Sequence, residues 1–252
     1  MPAAVTTATV NAGYTQQSLA DALVAILTPV YGVPVRSNVS GTLRAVFGPL
    51  PKAQSGDRDV WAVVEVTSTF IVDHRLTASF TAPSTIGAVT SSSGNVFGST
   101  GSPVLLTLFH KAGEFALLAL SQGGTRLFCG TLTPLDLPAT WVRATHIPAL
   151  NLCSSGLVSL SMFPGALNPY NVTQGVTLRS PSVVTTEDAV NARRDVLPVL
   201  YYSITVANLG HTSPDLASGA AGGTSFMDKI QVSAGEEYVI LEPSAASHMV
   251  RV

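Results

Sequence analysis

The adjacent residues Asp73 and His74 are the pair best suited to acid–base chemistry in this chain. A carboxylate beside an imidazole can hold the ring in the orientation that a general base needs. No nucleophile can be assigned to this pair from the sequence, and covalent catalysis requires one. The favoured interpretation is therefore a polar pair at the end of a strand, on the surface of a sheet.

Metal ligation has little support in the sequence. The other histidines lie too far apart for a local metal-binding motif; they are His110, His146, His211 and His248. Asp57 and Asp59 flank Arg58 and could offer two carboxylates, but calcium takes six or more oxygen ligands. The same loop contains no further Asp or Asn. We expect residues 57–59 to form a solvated loop, and we predict no metal site and no cofactor site.

The motifs of common enzyme classes are missing. The sequence has no Gly-x-Ser-x-Gly, no phosphate-binding loop and no His-Glu-x-x-His. Residues 219–223 are rich in glycine, but no strand of a βαβ unit precedes them, as a dinucleotide site would require. We therefore expect no enzymatic activity, and a hydrolase on a β scaffold is the least favoured function.

Cys129 and Cys153 are the only cysteines, and both lie among apolar or small residues. Buried, reduced thiols are the favoured interpretation, and a single bridge between the two remains open. Trp61 and Trp141 each lie beside valine, so both are expected to fill the core.

Local patterns predict two short helices. Residues 18–28 carry an apolar stripe (Leu19, Leu23, Ile26 and Leu27) after a possible cap at Ser18, with Pro29 and Gly32 to end the helix. A second helix is predicted over 186–194. It begins with acidic residues and ends with Arg193 and Arg194, an order that matches the helix dipole.

The remaining chain is typical of a β protein. Residues 1–14 are predicted to form an extended arm or edge strand, and residues 40–245 a β core. Turn-forming residues separate the runs that favour strands; these runs are 42–47, 60–72, 76–80, 104–110, 115–120, 125–130, 140–145, 157–163, 176–179, 197–207, 230–232 and 238–241. Residues 82–102 are predicted to form a long loop, 110–114 a hairpin turn and 217–224 a flexible loop. The pattern predicts one antiparallel β-sandwich or jelly roll over residues 1–252, with the two helices in connections.

Charge is scarce in this sequence. Only 11% of the residues are charged, against roughly 25% in an average soluble domain. Either neighbouring subunits cover much of the surface, as the charge depletion of interface cores suggests, or hydroxyl groups keep the protein in solution. We favour the first explanation.

The distribution of charge also bears on partners. The net charge is −2 and residues 1–12 contain no Lys or Arg, so we expect no general attraction to nucleic acid or to a membrane. No stretch has the ~20 consecutive apolar residues that a membrane span requires, and the first residues lack the pattern of a signal peptide.

Lys is scarce in this chain, and two of its strand-forming runs are 60–66 (VWAVVEV) and 199–206 (VLYYSITV). Segments such as 162–165 (MFPG) and 168–171 (NPYN) look like the loops of a jelly roll. In these features the chain resembles coat proteins of non-enveloped icosahedral viruses. The resemblance implies a jelly roll that assembles in many copies in the virion, after synthesis in the host cytoplasm. The basic N-terminal arm of many coat proteins is missing. The chain therefore resembles either a shell subunit that does not bind the genome through such an arm, or an outer crown protein.

Three functions therefore follow from the sequence. The leading one is a structural virion subunit whose expected partners are copies of itself and, for an outer crown protein, another capsid protein. The second is a receptor- or carbohydrate-binding sandwich, suggested by the long loop at 82–102, since such loops are often functional. The third is the hydrolase built on Asp73 and His74.

Overall fold

The computed structural model is mainly β, with one α-helix among the residues it describes. The residues described are 2–52, 55–90, 92, 94–98, 100–133, 149–155, 160–161, 176–179, 196–198, 200–203, 210–219, 225–242 and 247–252. The predicted helix at 186–194, the predicted strand at 140–145, Trp141 and His146 lie outside them. No described helix is long and apolar enough to cross a membrane.

The elements follow one another in chain order as a helix inserted between the first two strands of a long β series. They are β1 (Ala4–Val10), α1 (Gln16–Tyr31), β2 (Val35–Val39), β3 (Thr42–Phe47), β4 (Trp61–Val66), β5 (Ile71–Thr77), β6 (Phe80–Ala82), β7 (Thr85–Ile86), β8 (Asn95–Val96), β9 (Val104–Lys111), β10 (Phe115–Gln122), β11 (Thr125–Leu132), β12 (Leu150–Ser154), β13 (Leu160–Ser161), β14 (Val176–Arg179), β15 (Val196–Pro198), β16 (Leu200–Ser203), β17 (Gly210–His211), β18 (Leu216–Gly219), β19 (Lys229–Ser233), β20 (Glu236–Glu242) and β21 (Ser247–Arg251).

Three antiparallel sheets make up the framework. The central sheet has the order β1-β9-β10-β11-β12-β13-β14-β16-β17. The helix-side sheet has the order β2-β3-β4-β5-β8, and the C-terminal sheet has the order β15-β18-β21-β20-β19. A separate pair is formed by β6 and β7. The predicted antiparallel β-sandwich is thus confirmed at the level of fold class.

Strand β10 of the central sheet is buried on both of its faces. On β10, Ala116, Leu118 and Leu120 pack in the core shared with α1 and the helix-side sheet. The alternate residues Phe115, Leu117 and Ala119 pack in a second core shared with the C-terminal sheet. Strand residues alternate between faces, so the continuous apolar run of β10 is explained by burial on both sides.

The helix lies near the predicted position but begins and ends differently. Thr15, not Ser18, caps α1: the Thr15 hydroxyl accepts the Ser18 N–H and the Ser18 hydroxyl accepts the Thr15 N–H. Pro29 does not end the helix, which continues to Tyr31 and stops at Gly32. A proline in the last turn removes one intrahelical hydrogen bond, and the remaining apolar face still packs on the sheets. The predicted stripe from Leu19 to Leu27 is buried.

Three strand predictions and one loop prediction were wrong. The run 60–72 is two strands, β4 and β5, because a turn at Thr67–Phe70 reverses the chain. The Thr67 hydroxyl accepts the Ile71 N–H, which lets a segment without Gly or Pro turn. The run 76–80 is likewise divided between β5 and β6. The run 197–207 is divided between β15 of the C-terminal sheet and β16 of the central sheet, and residues 217–219 of the predicted loop 217–224 belong to β18.

The predicted loop at 82–102 is folded onto the helix-side sheet. It contains β7 and β8, and Phe97 is fully buried. The Phe97 N–H donates to the Phe70 carbonyl at 2.9 Å, and the Leu76 N–H donates to the Thr90 hydroxyl at 2.9 Å. One buried aromatic residue and a buried threonine thus anchor a segment whose composition alone is typical of a free loop.

Candidate functional site

His74 lies in the interior of the protein, between the helix-side sheet and the central sheet. Its side chain is 1% exposed, and its Nδ1 lies 2.6 Å from Asn151 Oδ1 on β12. Asn151 Nδ2 in turn donates to the backbone carbonyl of His74 at 3.0 Å. Because Asn151 Nδ2 donates to this carbonyl, it is Oδ1 of Asn151 that faces the ring, and it accepts a hydrogen bond from Nδ1–H of His74. The prediction of a polar pair at the sheet surface was therefore wrong, since Asn151 lies far along the chain and gives the ring a buried partner.

Burial keeps the His74 ring neutral. Desolvation lowers the pKa of His74 to about 4, against the smaller opposing effects of Asn151 and Asp73. The second ring nitrogen, Nε2, is buried and has no hydrogen-bond partner among the described residues. A neutral imidazole with a free nitrogen is a base in principle, but here it lies between packed layers, where no substrate reaches it.

Asp73 does not orient the His74 ring. One carboxylate oxygen lies 2.5 Å from Arg75 Nη2, and the other accepts from the Cys153 thiol at 3.4 Å. Arg75 also approaches Glu65, which bonds to Arg44 at 2.7 Å across β3 and β4. These four charges form a ladder across the helix-side sheet, and Arg44 and Arg75 bind Pro83 and Ser92 of the folded segment. The ladder therefore stabilises the sheet and the segment that covers it.

The two cysteines face each other on neighbouring strands. Cys129 of β11 and Cys153 of β12 are register partners, both are buried, and both are free thiols. Burial raises the pKa of each thiol, so neither is ionised near neutral pH. A thiol is reactive as the thiolate, so these groups act as packing residues in the core.

Other predicted candidates are also placed by the structure. Asp57 is buried rather than solvated, whereas Asp59 is exposed and lies 2.8 Å from Lys52. Within the described ranges, no three His, Cys, Asp or Glu side chains converge as metal ligands do. Trp61 is half-buried at the start of β4, against Phe80. The β9–β10 hairpin turn lies at residues 112–114, within the predicted turn at 110–114, and β9 continues to Lys111.

A buried ion cluster connects the central sheet to the C-terminal sheet, and the sequence analysis missed it. Asp215 is fully buried and lies 2.8 Å from Lys111 of the hairpin and 2.6 Å from Arg251 of β21. Lys111 also pairs with Glu114 at 2.8 Å, and the Ser213 hydroxyl donates to the Glu114 carboxylate. The carboxylates raise the pKa of Lys111, first through the bond to Asp215. The cluster joins three segments that are distant in sequence, at 111–114, 213–215 and 251, so no local spacing could have predicted it.

A cavity of about 210 Å³ lies above this hairpin. Its apolar wall comes from the end of α1 and from Leu50 and Val60, and its polar groups come from Lys52, Arg58 and the hairpin. None of the described residues of the segment 82–102 lines it. The cavity combines an apolar wall with a few polar groups, as small-ligand sites do.

The outer edge of the central sheet is the second exposed feature. Strand β1 pairs with β9 over seven residues without a register shift, and it is the terminal strand of the sheet. Residues 4–7 and 9 are exposed, with Val5 at 43%, and no charged residue precedes Asp21. An edge strand presents unpaired backbone N–H and C=O groups, so β1 offers hydrogen bonds to a further strand.

No protein-family model matches the chain, and no curated protein matches it.

Proposed function

We propose that this chain is a structural protein of a virus particle, a subunit of an icosahedral capsid or of an outer layer that decorates one. In this proposal it acts through contacts with copies of itself, and with another capsid protein if it forms an outer layer. It is not an enzyme, and it works in the virion after assembly in the host cytoplasm.

The observation that carries the proposal is the scarcity of free charge. Each charged side chain that the structure describes is engaged by another group, most of them in ion pairs such as Arg36 with Asp21 and Lys229 with Glu237. The exposed strand β1 carries none. Only 11% of the residues are charged, and the described ones are engaged by groups of the same chain. Such a surface is suited to burial by neighbouring subunits, because interface cores are depleted of charge.

The layered core supports the same role. Strand β10 of the central sheet is buried on both faces, and this sheet is tied to the C-terminal sheet by the Asp215 cluster. A subunit of a closed shell must hold its contact surfaces in fixed positions, since symmetric assembly repeats each contact many times. Layers joined by buried apolar cores and by a buried ion cluster satisfy that requirement.

Negative-stain electron microscopy of the purified chain, at high concentration, distinguishes the two forms of the proposal. Closed particles formed by the chain alone would identify a main shell subunit. Small, soluble oligomers would identify a protein that needs an inner shell as its scaffold. Neither form is compatible with particles no larger than one chain at every concentration.

A second function, binding of a small ligand, is favoured by the cavity at the β9–β10 hairpin. Its apolar wall and its few polar groups have the composition of a typical ligand site. A strictly monomeric protein would favour this function. In that case a receptor- or carbohydrate-binding role is expected to depend on residues such as Lys52 and Arg58 rather than on the segment 82–102.

A further inference from the structure

The exposed edges of the sheets differ in how they are protected. Edge strands of natural proteins are commonly very short, charged, or interrupted by a bulge, which prevents pairing with another chain. Strands β8 and β17 have two residues each and β15 has three. Strand β2 carries Arg36, and β19 carries Lys229 and a register shift at Gln231–Ser233. Each of these described edges therefore has at least one protective feature.

Strand β1 has none of these features. It has seven residues (AVTTATV), no charge, no proline and no bulge. Threonine and valine favour strands, and roughly half of the backbone groups of an edge strand point away from its partner. Among the described edges, β1 is the one suited to accept another strand.

We propose that β1 pairs antiparallel with β1 of a second copy of the chain, across a two-fold axis at Thr7, so that the central sheet continues from one copy into the next. This inference rests on the proposed function, because it names the contact through which the subunits associate. The same patch then occurs on both partners, as a two-fold interface requires.

The sequence of β1 fits this register. A centre at Thr7 pairs all seven residues of the strand, and any other centre leaves some of them unpaired. It places Thr7 opposite Thr7, Thr6 opposite Ala8, Val5 opposite Thr9 and Ala4 opposite Val10. Each pair joins small or β-branched side chains, and no like charges meet, which would destabilise a cross-strand pair.

A second copy is the occupant that the charge of this edge favours. The stretch from Pro2 to Ala20 has no charged side chain, so a charged peptide would gain no ion pair there. A strand with the same uncharged sequence buries no charge, and the backbone groups that it desolvates are paired again in the new hydrogen bonds. Stable interfaces bury about 1,200–2,000 Å² of surface. The area buried by pairing two seven-residue strands lies at or below the lower end of this range. We therefore expect a weak contact that gains strength by repetition.

Disulfide trapping of the full-length Thr7→Cys variant tests the register directly. Residues directly opposite on antiparallel strands have Cα atoms roughly 4.5–5.5 Å apart, which is within the range for a disulfide. With oxidised glutathione as the oxidant, we expect a covalent dimer on a non-reducing gel. Its yield is expected to exceed that of the controls at least about fivefold, since a fixed pair reacts as an intramolecular one.

Two variants serve as controls. Thr81→Cys places a thiol at an exposed strand position on β6, which is not part of the central sheet, and measures random collisions. Thr6→Cys places it one residue from the axis, on the other face of β1. The native thiols of Cys129 and Cys153 are buried, and the unsubstituted protein measures their background.

The outcomes separate this inference from the proposed function. A dimer specific to Thr7→Cys supports both. Large assemblies without a specific dimer would overturn the β1 pairing and leave the proposed function standing. A monomer that yields no specific dimer at any concentration would overturn both.

Discussion

At the scale of the residue, His74 shows how burial decides chemistry. Its neighbour Asp73 suggested a catalytic pair, but the imidazole bonds to Asn151 and the carboxylate bonds to Arg75. The side chains of adjacent residues in a strand point to opposite faces of the sheet, so the side chains of Asp73 and His74 lie on different sides of β5. The partner that matters, Asn151, is on another strand and could not be predicted from local spacing.

The neutral, buried ring predicts a specific loss of stability in acid. In the unfolded chain a histidine takes up its proton near pH 6.5, whereas His74 in the folded protein does so near pH 4. The folded state therefore binds fewer protons in this window, and the contribution present above pH 6.5 is lost as the pH falls towards 4. From the difference in pKa, the loss over the whole window is roughly 3 kcal/mol.

Urea unfolding of the wild type and of His74→Gln, at pH 7 and pH 4.5, measures this loss. Carboxylates also titrate in this range, so the quantity of interest is the difference between the two proteins. The wild type is expected to lose roughly 2–3 kcal/mol more than the variant. His110→Gln, at a half-buried hairpin position, is the control and should behave as the wild type. Equal losses in the wild type and His74→Gln would contradict the burial of a neutral ring.

At the scale of the element, the sequence predicted what local signals determine. The apolar stripe of α1, the hairpin at 110–114 and strands such as β9 and β10 were predicted near their observed positions. The turn at Thr67–Phe70 was missed because a threonine hydroxyl, not glycine or proline, supports it. The folding of 82–102 was missed because the anchor, Phe97, is a single residue whose burial depends on the sheet below it.

Close packing of β10 against β11 gives a sharp prediction at Gly130. Its φ is +146°, and a Cβ there would lie 2.0 Å from the Ala116 carbonyl oxygen, a backbone atom that cannot move aside. We expect Gly130→Ala to lower the free energy of unfolding by roughly 3 kcal/mol or more, since overpacking and backbone strain add. Chemical denaturation with circular dichroism measures the change.

Gly124→Ala is the matched control for this prediction. Gly124 lies in the turn between the same two strands, and a Cβ there meets no atom within 4 Å. Its effect is expected to stay within about 0.5 kcal/mol. Similar effects of the two substitutions would show that β10 and β11 do not approach as closely as described.

At the scale of the whole molecule, three layers are joined by apolar cores and by one buried ion cluster. Asp215 lies between Lys111 of the central sheet and Arg251 of the C-terminal sheet. This architecture could be predicted only as a mainly β sandwich, because the cluster joins positions over 100 residues apart. Residues 1–14 were predicted to form an arm or an edge strand, but the pairing of β1 with β9 could not be predicted, because the two strands are about 100 residues apart.

Removal of Asp215 is expected to loosen the C-terminal sheet. Asp215→Ala leaves Lys111 and Arg251 without their buried partner, and breaking a buried pair in this way costs about 3–5 kcal/mol. The measurement is urea unfolding combined with limited proteolysis, in which cleavage between residues 212 and 252 should accelerate first. Glu237→Ala, which breaks the exposed pair with Lys229, should cost less than about 1 kcal/mol. Equal costs for the two variants would show that the cluster does not join the layers.

The raised pKa of Lys111 predicts how the same cluster affects the stability of the protein at alkaline pH. Because Asp215 and Glu114 raise this pKa, the stabilising contribution of Lys111 is complete below the unfolded value of 10.5. It is lost as the pH rises through the higher folded value. The alkaline loss of stability should therefore be smaller in Asp215→Ala than in the wild type.

The measurement that most directly tests the account is the mass of the purified, full-length protein in solution, by light scattering over a wide range of concentration and salt. One chain has a mass of 26.1 kDa. We predict a mass that rises with concentration to multiples of this value and persists at high salt, because the contacts are uncharged. A mass of one chain at every concentration would contradict the assembly role.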